Sequence, residues 1–345
     1  MPERFGLGIV GAGLAAAPHA QSLRLLSDRI EVRGVFTRSP AGRGRLCADY
    51  GFPESASLEA LLNDPGIEAL LVLTPPDARQ DIVRRAAEAG KHLLVEKPVE
   101  RTLAAAERIV ATCADAGVTL GVVFQHRFRK ASQALAGLLD SGALGEIRSA
   151  SLSVPWWRDQ AYYDEPGRGT HARDGGGVLM TQAIHPLDLM LSFTGPAAEV
   201  QAICATTMHR MEAEDFAAGA VRFAGGAAGA VMATVTAYPG AEAQLTLNCD
   251  RATAVLEGGT LRVHHHDGRR EEVAEPAGSG NAASLMNFPC DWHRAAIEDF
   301  VAAVRQGRPP VSNGRTALGV HALIDAITRS SASGRREPVA NTIQD

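Results

Sequence analysis

Phe5-Gly6-Leu7-Gly8-Ile9-Val10-Gly11-Ala12-Gly13-Leu14-Ala15-Ala16 decides the fold of this chain. The first six residues read as a buried strand, and the pattern from Ala16 to about residue 26 is helical. Between them lies G-x-G-x-x-A. The first glycine permits a tight turn, the second lets backbone approach a pyrophosphate, and the small Ala16 lets helix and strand pack closely. Gly11, Gly13, Leu14 and Ala15 are therefore the expected phosphate contacts. The strand–turn–helix context gives the motif its weight.

Outward from this turn, apolar runs alternate with amphipathic helices. Strands are expected over 31–36, 69–73, 92–95 and 118–124, with helices over 57–63, 78–89 and 103–116. That alternation predicts a doubly wound parallel sheet, a nucleotide-binding domain over residues 1–123. The second strand ends in Thr37-Arg38-Ser39, where NAD enzymes usually hold an acid for the ribose 2′-hydroxyl. A guanidinium with no carboxylate suits a 2′-phosphate, so NADP(H) is mildly favoured over NAD(H). Thr74 and Pro75 end the strand beside the crevice, and their backbone is expected to line the cofactor.

The fourth apolar run stops in Glu96-Lys97-Pro98. Proline disfavours helix in the residue before it, so Lys97 is extended at the strand's carboxyl end. Open α/β sheets place their chemistry there. Lys91, Lys97 and Lys130 are the chain's three lysines among 34 basic residues. A titratable amine thus stands where arginine is otherwise used. The plainer alternative is a solvated Glu–Lys pair.

Beyond residue 124 the character changes. A helix over 131–139 leads to strands over 147–154, 200–207, 215–223, 228–237, 243–248, 252–257 and 260–265, with a polar insert at 155–175 and a helix over 178–193. Helices over 292–305 and 315–331 close the chain. This layout predicts a second, α+β domain over 124–345 with a large open, mostly antiparallel sheet. His264-His265-His266 precedes Asp267-Gly268, which reads as an exposed hairpin rather than a metal site, since alternate residues of a strand face opposite ways.

Composition narrows the classes. A formal net charge of −5 without a basic block argues against nucleic acid or an anionic membrane as partner. No apolar run approaches the ~20 residues of a membrane span. Five scattered cysteines without C-x-x-C suggest reduced thiols in a cytoplasmic protein. The apolar N-terminus is broken by glycines that the nucleotide turn explains better than a signal peptide.

Together Gly11-x-Gly13-x-x-Ala16, Thr74-Pro75, Gly90-Lys91-His92, Glu96-Lys97-Pro98, Gln125-His126-Arg127-Phe128, Gly142-Ala143-Leu144-Gly145, Asp174-Gly175-Gly176-Gly177 running on to His185-Pro186-Leu187-Asp188, and Ile297-Glu298-Asp299-Phe300 resemble the Gfo/Idh/MocA family of glucose–fructose oxidoreductase and inositol dehydrogenase-like enzymes. The resemblance spans essentially the whole chain. It implies a Rossmann domain, a sheet domain used for homodimer or homotetramer contacts, and NAD(P)-dependent oxidation or reduction of a sugar, inositol or related polyol. It also implies that Glu96 and Lys97 lie near the nicotinamide, that His185 is an acid/base, and that the Lys97–Pro98 peptide is cis. There are two departures. Thr181 stands where the family often has Asp, and Thr181-Gln182 looks nearer to an Asn-Gln variant. Arg79 replaces a common histidine, on a helix outside the expected chemistry.

Histidine suits proton removal near neutrality, so His185 is the expected relay, with Asp188 a candidate to orient its ring. Lys97 is expected to polarise the reacting oxygen; it is also a candidate base. Arg127, Tyr162, Tyr163, Arg168, Thr170 and His171 cluster near these elements, with Trp156 and Trp157 as flat surfaces for a ring. Arg127, Tyr163, Arg168, Thr181 and Gln182 are the expected substrate contacts. Two other readings share the fold: an enzyme holding NAD tightly as a transient oxidant, and a non-catalytic dinucleotide sensor. The presence of Lys97 and His185 disfavours the sensor.

Overall fold

A computed structural model describes residues 4–13, 15–274 and 290–342. Two compact units emerge. The first holds the described residues up to Glu100, Ala104–Gln125, and 290–314. Its strands are β1 (Phe5–Val10), β2 (Ile30–Phe36), β3 (Ala69–Val72), β4 (His92–Val95) and β5 (Leu120–Val122), in the order β2-β1-β3-β4-β5. All pairs are parallel. β1, β3 and β5 are buried along their whole length, the mark of a sheet covered on both faces. Helices α1 (Ala16–Leu25), α2 (Pro40–Tyr50), α3 (Leu58–Asn63), α4 (Arg79–Glu88) and α5 (Leu103–Asp115) connect them. The strand order reverses between β1 and β3, which makes their carboxyl ends the crevice of such a sheet.

The alternation expected from the sequence is the one observed, with one helix more. α2 carries Gly42 and Gly44, poor helix formers. It forms because Ser39 caps it, accepting from the Gly42 amide at 3.2 Å, Pro40 opens it, and Leu46 and Cys47 are buried beneath it.

The second unit, Arg101–Leu103, 126–274 and 315–342 of the described residues, contains a nine-stranded sheet. Its strands are β6 (Ile147–Pro155), β7 (Ala197–Ala205), β8 (Phe216–Phe223), β9 (Ala228–Thr234), β10 (Gln244–Cys249), β11 (Ala252–Glu257), β12 (Thr260–His265), β13 (Arg270–Ala274) and β14 (Glu337–Pro338). The order is β13-β12-β11-β10-β6-β9-β8-β7-β14, antiparallel throughout except β6 with β9. Burial alternates along β11 and β12, so one face is covered and the other is not. Helices α6 (Lys130–Asp140), α7 (Gln160–Tyr163) and α8 (Ile184–Thr194) belong to this unit, and α8 packs on β6. Asp267-Gly268 turns the expected hairpin between β12 and β13.

Helix α9 (Asp291–Gln306) falls in the 124–345 stretch yet packs on α1 in the first unit. Ile297, Phe300 and Val301 complete the core formed by Phe5, Leu7, Ile9 and Leu71. The chain then enters helix α10 (Gly314–Ser333), which rejoins the second unit.

Candidate active site

In the first unit the glycine turn leaves β1 at Gly11, whose φ is +108°. A Cβ there would lie 2.9 Å from the Leu73 carbonyl carbon and the Thr74 nitrogen, so only glycine fits. A Cβ on Gly13 would meet nothing within 4 Å, so that side of the turn is open. Ala16 donates its amide to the Gly13 carbonyl at 3.0 Å as α1 begins. Across the crevice, Thr74 Oγ1 is buried without a partner. An open cradle of backbone beside an unsatisfied hydroxyl fits a dinucleotide pyrophosphate. Ala15 is exposed on the turn, Pro75 is exposed, and Leu14 lies outside the described residues. Thr37 is half-buried and Arg38 exposed at the end of β2.

At the end of β4 the Glu96–Lys97–Pro98 turn carries the expected cis Lys97–Pro98 peptide. Lys97 is half-buried, and its amide donates to Glu96 Oε2 at 3.0 Å. Glu96 is 8% exposed and accepts from His19 Nε2 at 2.8 Å. Burial alone would raise its pKa, but the His19 hydrogen bond and nearby positive groups hold it down at about 2. His293 of α9 meets the His19 ring edge-on, 4.8 Å between centroids. The two histidines and Glu96 offer ligand-type atoms within 4.8 Å of one another. The 2.8 Å His19–Glu96 separation is a hydrogen bond, shorter than the ~3.3 Å between two ligands of a tetrahedral zinc.

The sequence departure at Arg79 proves to be part of this turn rather than outside it. Arg79 is 2% exposed and donates to the carbonyls of Thr74, Glu96 and Pro98. Nothing in sequence spacing announces those contacts.

In the second unit, Gly177 begins the helix that carries Thr181, Gln182 and His185. A Cβ on Gly177 would fall 1.8 Å from the Glu214 carbonyl oxygen. Glu214 caps the helix start. Its carboxylate accepts from the amides of Gly177 at 3.1 Å and Leu179 at 3.0 Å, and its carbonyl accepts from Val178 at 2.8 Å. Burial pushes the Glu214 carboxyl up, and the amide hydrogen bonds oppose it. Leu179–Ala183 form a π-turn before α8. Pro186 lacks an N–H and crowds the carbonyl one turn back, which the wider turn accommodates. Such turns cluster at functional sites.

Buried His185 stacks on His126, 4.9 Å between ring centroids. Asp188 does not serve His185. Both of its oxygens accept from Arg127, Nε to Oδ2 at 2.7 Å and Nη2 to Oδ1 at 2.6 Å. Burial raises the Asp188 pKa while the Arg127 charge opposes it. Arg127 is therefore held by Asp188 in a buried, two-pronged pair instead of presenting these donors to a substrate.

Thr181 Oγ1 donates to the Gly177 carbonyl at 2.7 Å and lies against Gln182 Oε1. Tyr163 is 6% exposed, and burial pushes its phenol up. Gln182 lies close enough to oppose that shift, yet neither the Tyr163 hydroxyl nor Gln182 Nε2 meets a hydrogen-bond partner of good geometry. Two unmet buried polar groups side by side call for a polar ligand. Arg168 lies 4.1 Å over the Tyr162 ring and pairs with Glu165. Thr170 donates to the Gly167 carbonyl within its own loop, and the His171 amide donates to Glu212 in the stretch between β7 and β8.

The GFO_IDH_MocA oxidoreductase model, an NAD-binding Rossmann fold, matches residues 5–124, and the GFO/IDH/MocA C-terminal domain model matches residues 132–255. The chain belongs to the Gfo/Idh/MocA oxidoreductase family. This family member is 26% identical to an inositol 2-dehydrogenase of Rhizobium meliloti, over 99% of this chain and 100% of that one. It is 28% identical to dTDP-3,4-didehydro-2,6-dideoxy-alpha-D-glucose 3-reductase of Streptomyces antibioticus, covering 89% and 91%. Among solved structures it resembles the WlbA dehydrogenase from Bordetella pertussis, in complex with NADH and UDP-GlcNAcA, at 29% identity and a TM-score of 0.83, covering 98% and 100%. It is thus an oxidoreductase of a family of sugar, inositol and sugar-nucleotide dehydrogenases. No helix among the described residues is long and apolar enough to cross a membrane.

Proposed function

We propose that this protein transfers a hydride between a nicotinamide dinucleotide and a secondary alcohol or ketone carbon of a sugar, an inositol or a sugar derivative, sugar acids and sugar nucleotides included. The observation that carries this reading is the Glu96–Lys97–Pro98 turn. A scarce lysine stands at the carboxyl end of a nucleotide-type sheet, with its own amide and both flanking carbonyls held by buried charged groups. The nicotinamide supplies the hydride acceptor or donor. Lys97 donates a hydrogen bond to the reacting oxygen and stabilises the charge that develops on it. His185 relays the proton. Gly11, Gly13, Leu14 and Ala15 bind the pyrophosphate, and Thr74, Pro75 and Glu96 border the nicotinamide half. Tyr163, Gln182 and Thr181 meet ring hydroxyls, and Arg168 meets an anionic substituent.

Arg38 and Thr37 read the ribose 2′-position, and NADP(H) is preferred over NAD(H). The open face of the nine-stranded sheet, where Ile203 is 67% exposed, joins copies into a homodimer or homotetramer, which light scattering tests. Five free thiols suit a reducing cytoplasm.

Absorbance at 340 nm with inositols, hexoses, sugar acids and sugar nucleotides, each with both cofactors, tests the reading. Lys97→Ala should lower kcat by about 10²–10³-fold. Near-normal turnover in that variant would overturn it, and equal affinity of wild type and Arg38→Ala for NADPH would remove the cofactor preference.

A further inference from the structure

We infer that Arg79 is a positioning residue for Lys97, a claim that rests on the reading of Lys97 as the reacting amine. Arg79 opens α4 and is almost wholly inside the first unit. A guanidinium removed from water is tolerated when its donors are met. Nε and Nη2 donate to the Thr74 carbonyl at 2.9 and 2.7 Å. Nη1 donates to the carbonyls of Glu96 and Pro98, the residues on either side of Lys97. Burial lowers its pKa to about 10, against the opposing charges of Glu96, Glu100 and Asp77, so it remains a cation at neutral pH.

One planar fork thereby ties the loop after β3, on the cofactor crevice, to both sides of the lysine. The Lys97 amide is held by the Glu96 carboxylate, which His19 anchors in turn. The peptide groups around Lys97 are thus fixed from two directions, and with them the direction in which its side chain leaves the backbone. A histidine, with at most two ring donors, is short of donors, and a lysine's three donors radiate from one nitrogen, without the separated nitrogens by which Arg79 reaches both loops. Arg79 does not touch the reacting atoms; it acts through where it delivers the ammonium.

The chain's few lysines allow a test that does not depend on turnover. Lys130 is exposed, and Lys91 is buried with its ammonium on the carbonyls of Asp64 and Ile67. Limited reductive methylation followed by peptide mapping gives the Lys97-to-Lys130 labelling ratio. Arg79→Ala should shift that ratio at least severalfold, and added guanidinium should move it back toward the wild-type value. In the same protein kcat should fall about 10²-fold, the scale of an ångström-sized misplacement, while the substrate KM changes by no more than about threefold. Arg79→Lys keeps the buried charge and should shift the ratio in the same direction, so it carries the test if the alanine variant does not fold. An unchanged ratio in Arg79→Lys and Arg79→Ala, or a loss confined to KM, overturns the proposal. If wild type shows no Lys97-dependent turnover, it is the reading of Lys97 that fails, and the labelling ratio still decides whether Arg79 positions it.

Discussion

His293 should make the first unit sensitive to acid. It is 4% exposed, and burial, with the adjacent His19, pushes its pKa down to about 3 against the pull of Glu96. Released by unfolding, the imidazole returns to about 6.5. Below pH 6.5 the unfolded chain therefore binds a proton that the folded chain refuses, so stability falls as pH falls through the window from about 6.5 to about 3. The slope is about 1.4 kcal/mol per pH unit, which amounts to roughly 2 kcal/mol at pH 5 and roughly 4–5 kcal/mol near pH 3. Trp292, the neighbour of His293 in α9, reports on this region once Trp156 and Trp157 are replaced by Phe. Urea unfolding followed by Trp292 fluorescence at pH 7.5 and 5.0 should show the parent losing about 2 kcal/mol more than His293→Gln. Equal losses in the two proteins would refute a buried neutral His293.

Three other substitutions separate packing from function. Gly177→Ala drives a Cβ into the Glu214 carbonyl and should cost at least ~3 kcal/mol, read as a lowered melting temperature or loss of folded protein. Arg127→Met leaves the buried Asp188 without its partner and should cost about 3–5 kcal/mol, most of it recovered in Arg127→Met with Asp188→Leu; failure of the double variant to recover would mean that the pair has a further role. Tyr163→Phe removes a hydroxyl that lacks a good protein partner, so the melting temperature should hold while the substrate KM rises about tenfold, the worth of one hydrogen bond.

The parallel sheet was legible because β1, β3 and β4 are short apolar runs with glycine or proline just beyond them, and β2 and β5 alternate with amphipathic helices in the same rhythm. α2 was not, because two glycines weaken it and only the Ser39 cap and burial of Leu46 and Cys47 restore it. β13, nearly all exposed, and the two-residue β14 lack the apolar signal of a strand. Helix α9 was readable as a helix, but its destination was not, since periodicity reports a buried face and not what buries it. The candidate site divides in the same way. Lys97, His185 and the glycine turn stand out by residue type and spacing. The choice of Arg127 by Asp188, the capping of Gly177 by Glu214 across 37 residues, and the three carbonyls of Arg79 depend on contacts that arise only after folding.

The return of α9 to the first unit has a consequence for how the protein is made. When the ribosome has finished Gln125, the strands of the nucleotide sheet are all synthesised, but Ile297, Phe300 and Val301 of its core are not. About 175 more residues must be synthesised first, roughly 9–35 s at 5–20 residues per second. Through that interval Phe5, Leu7 and Ile9 lack part of their cover and His19 lacks His293, so a truncation after residue 125 should aggregate rather than yield a free-standing nucleotide domain.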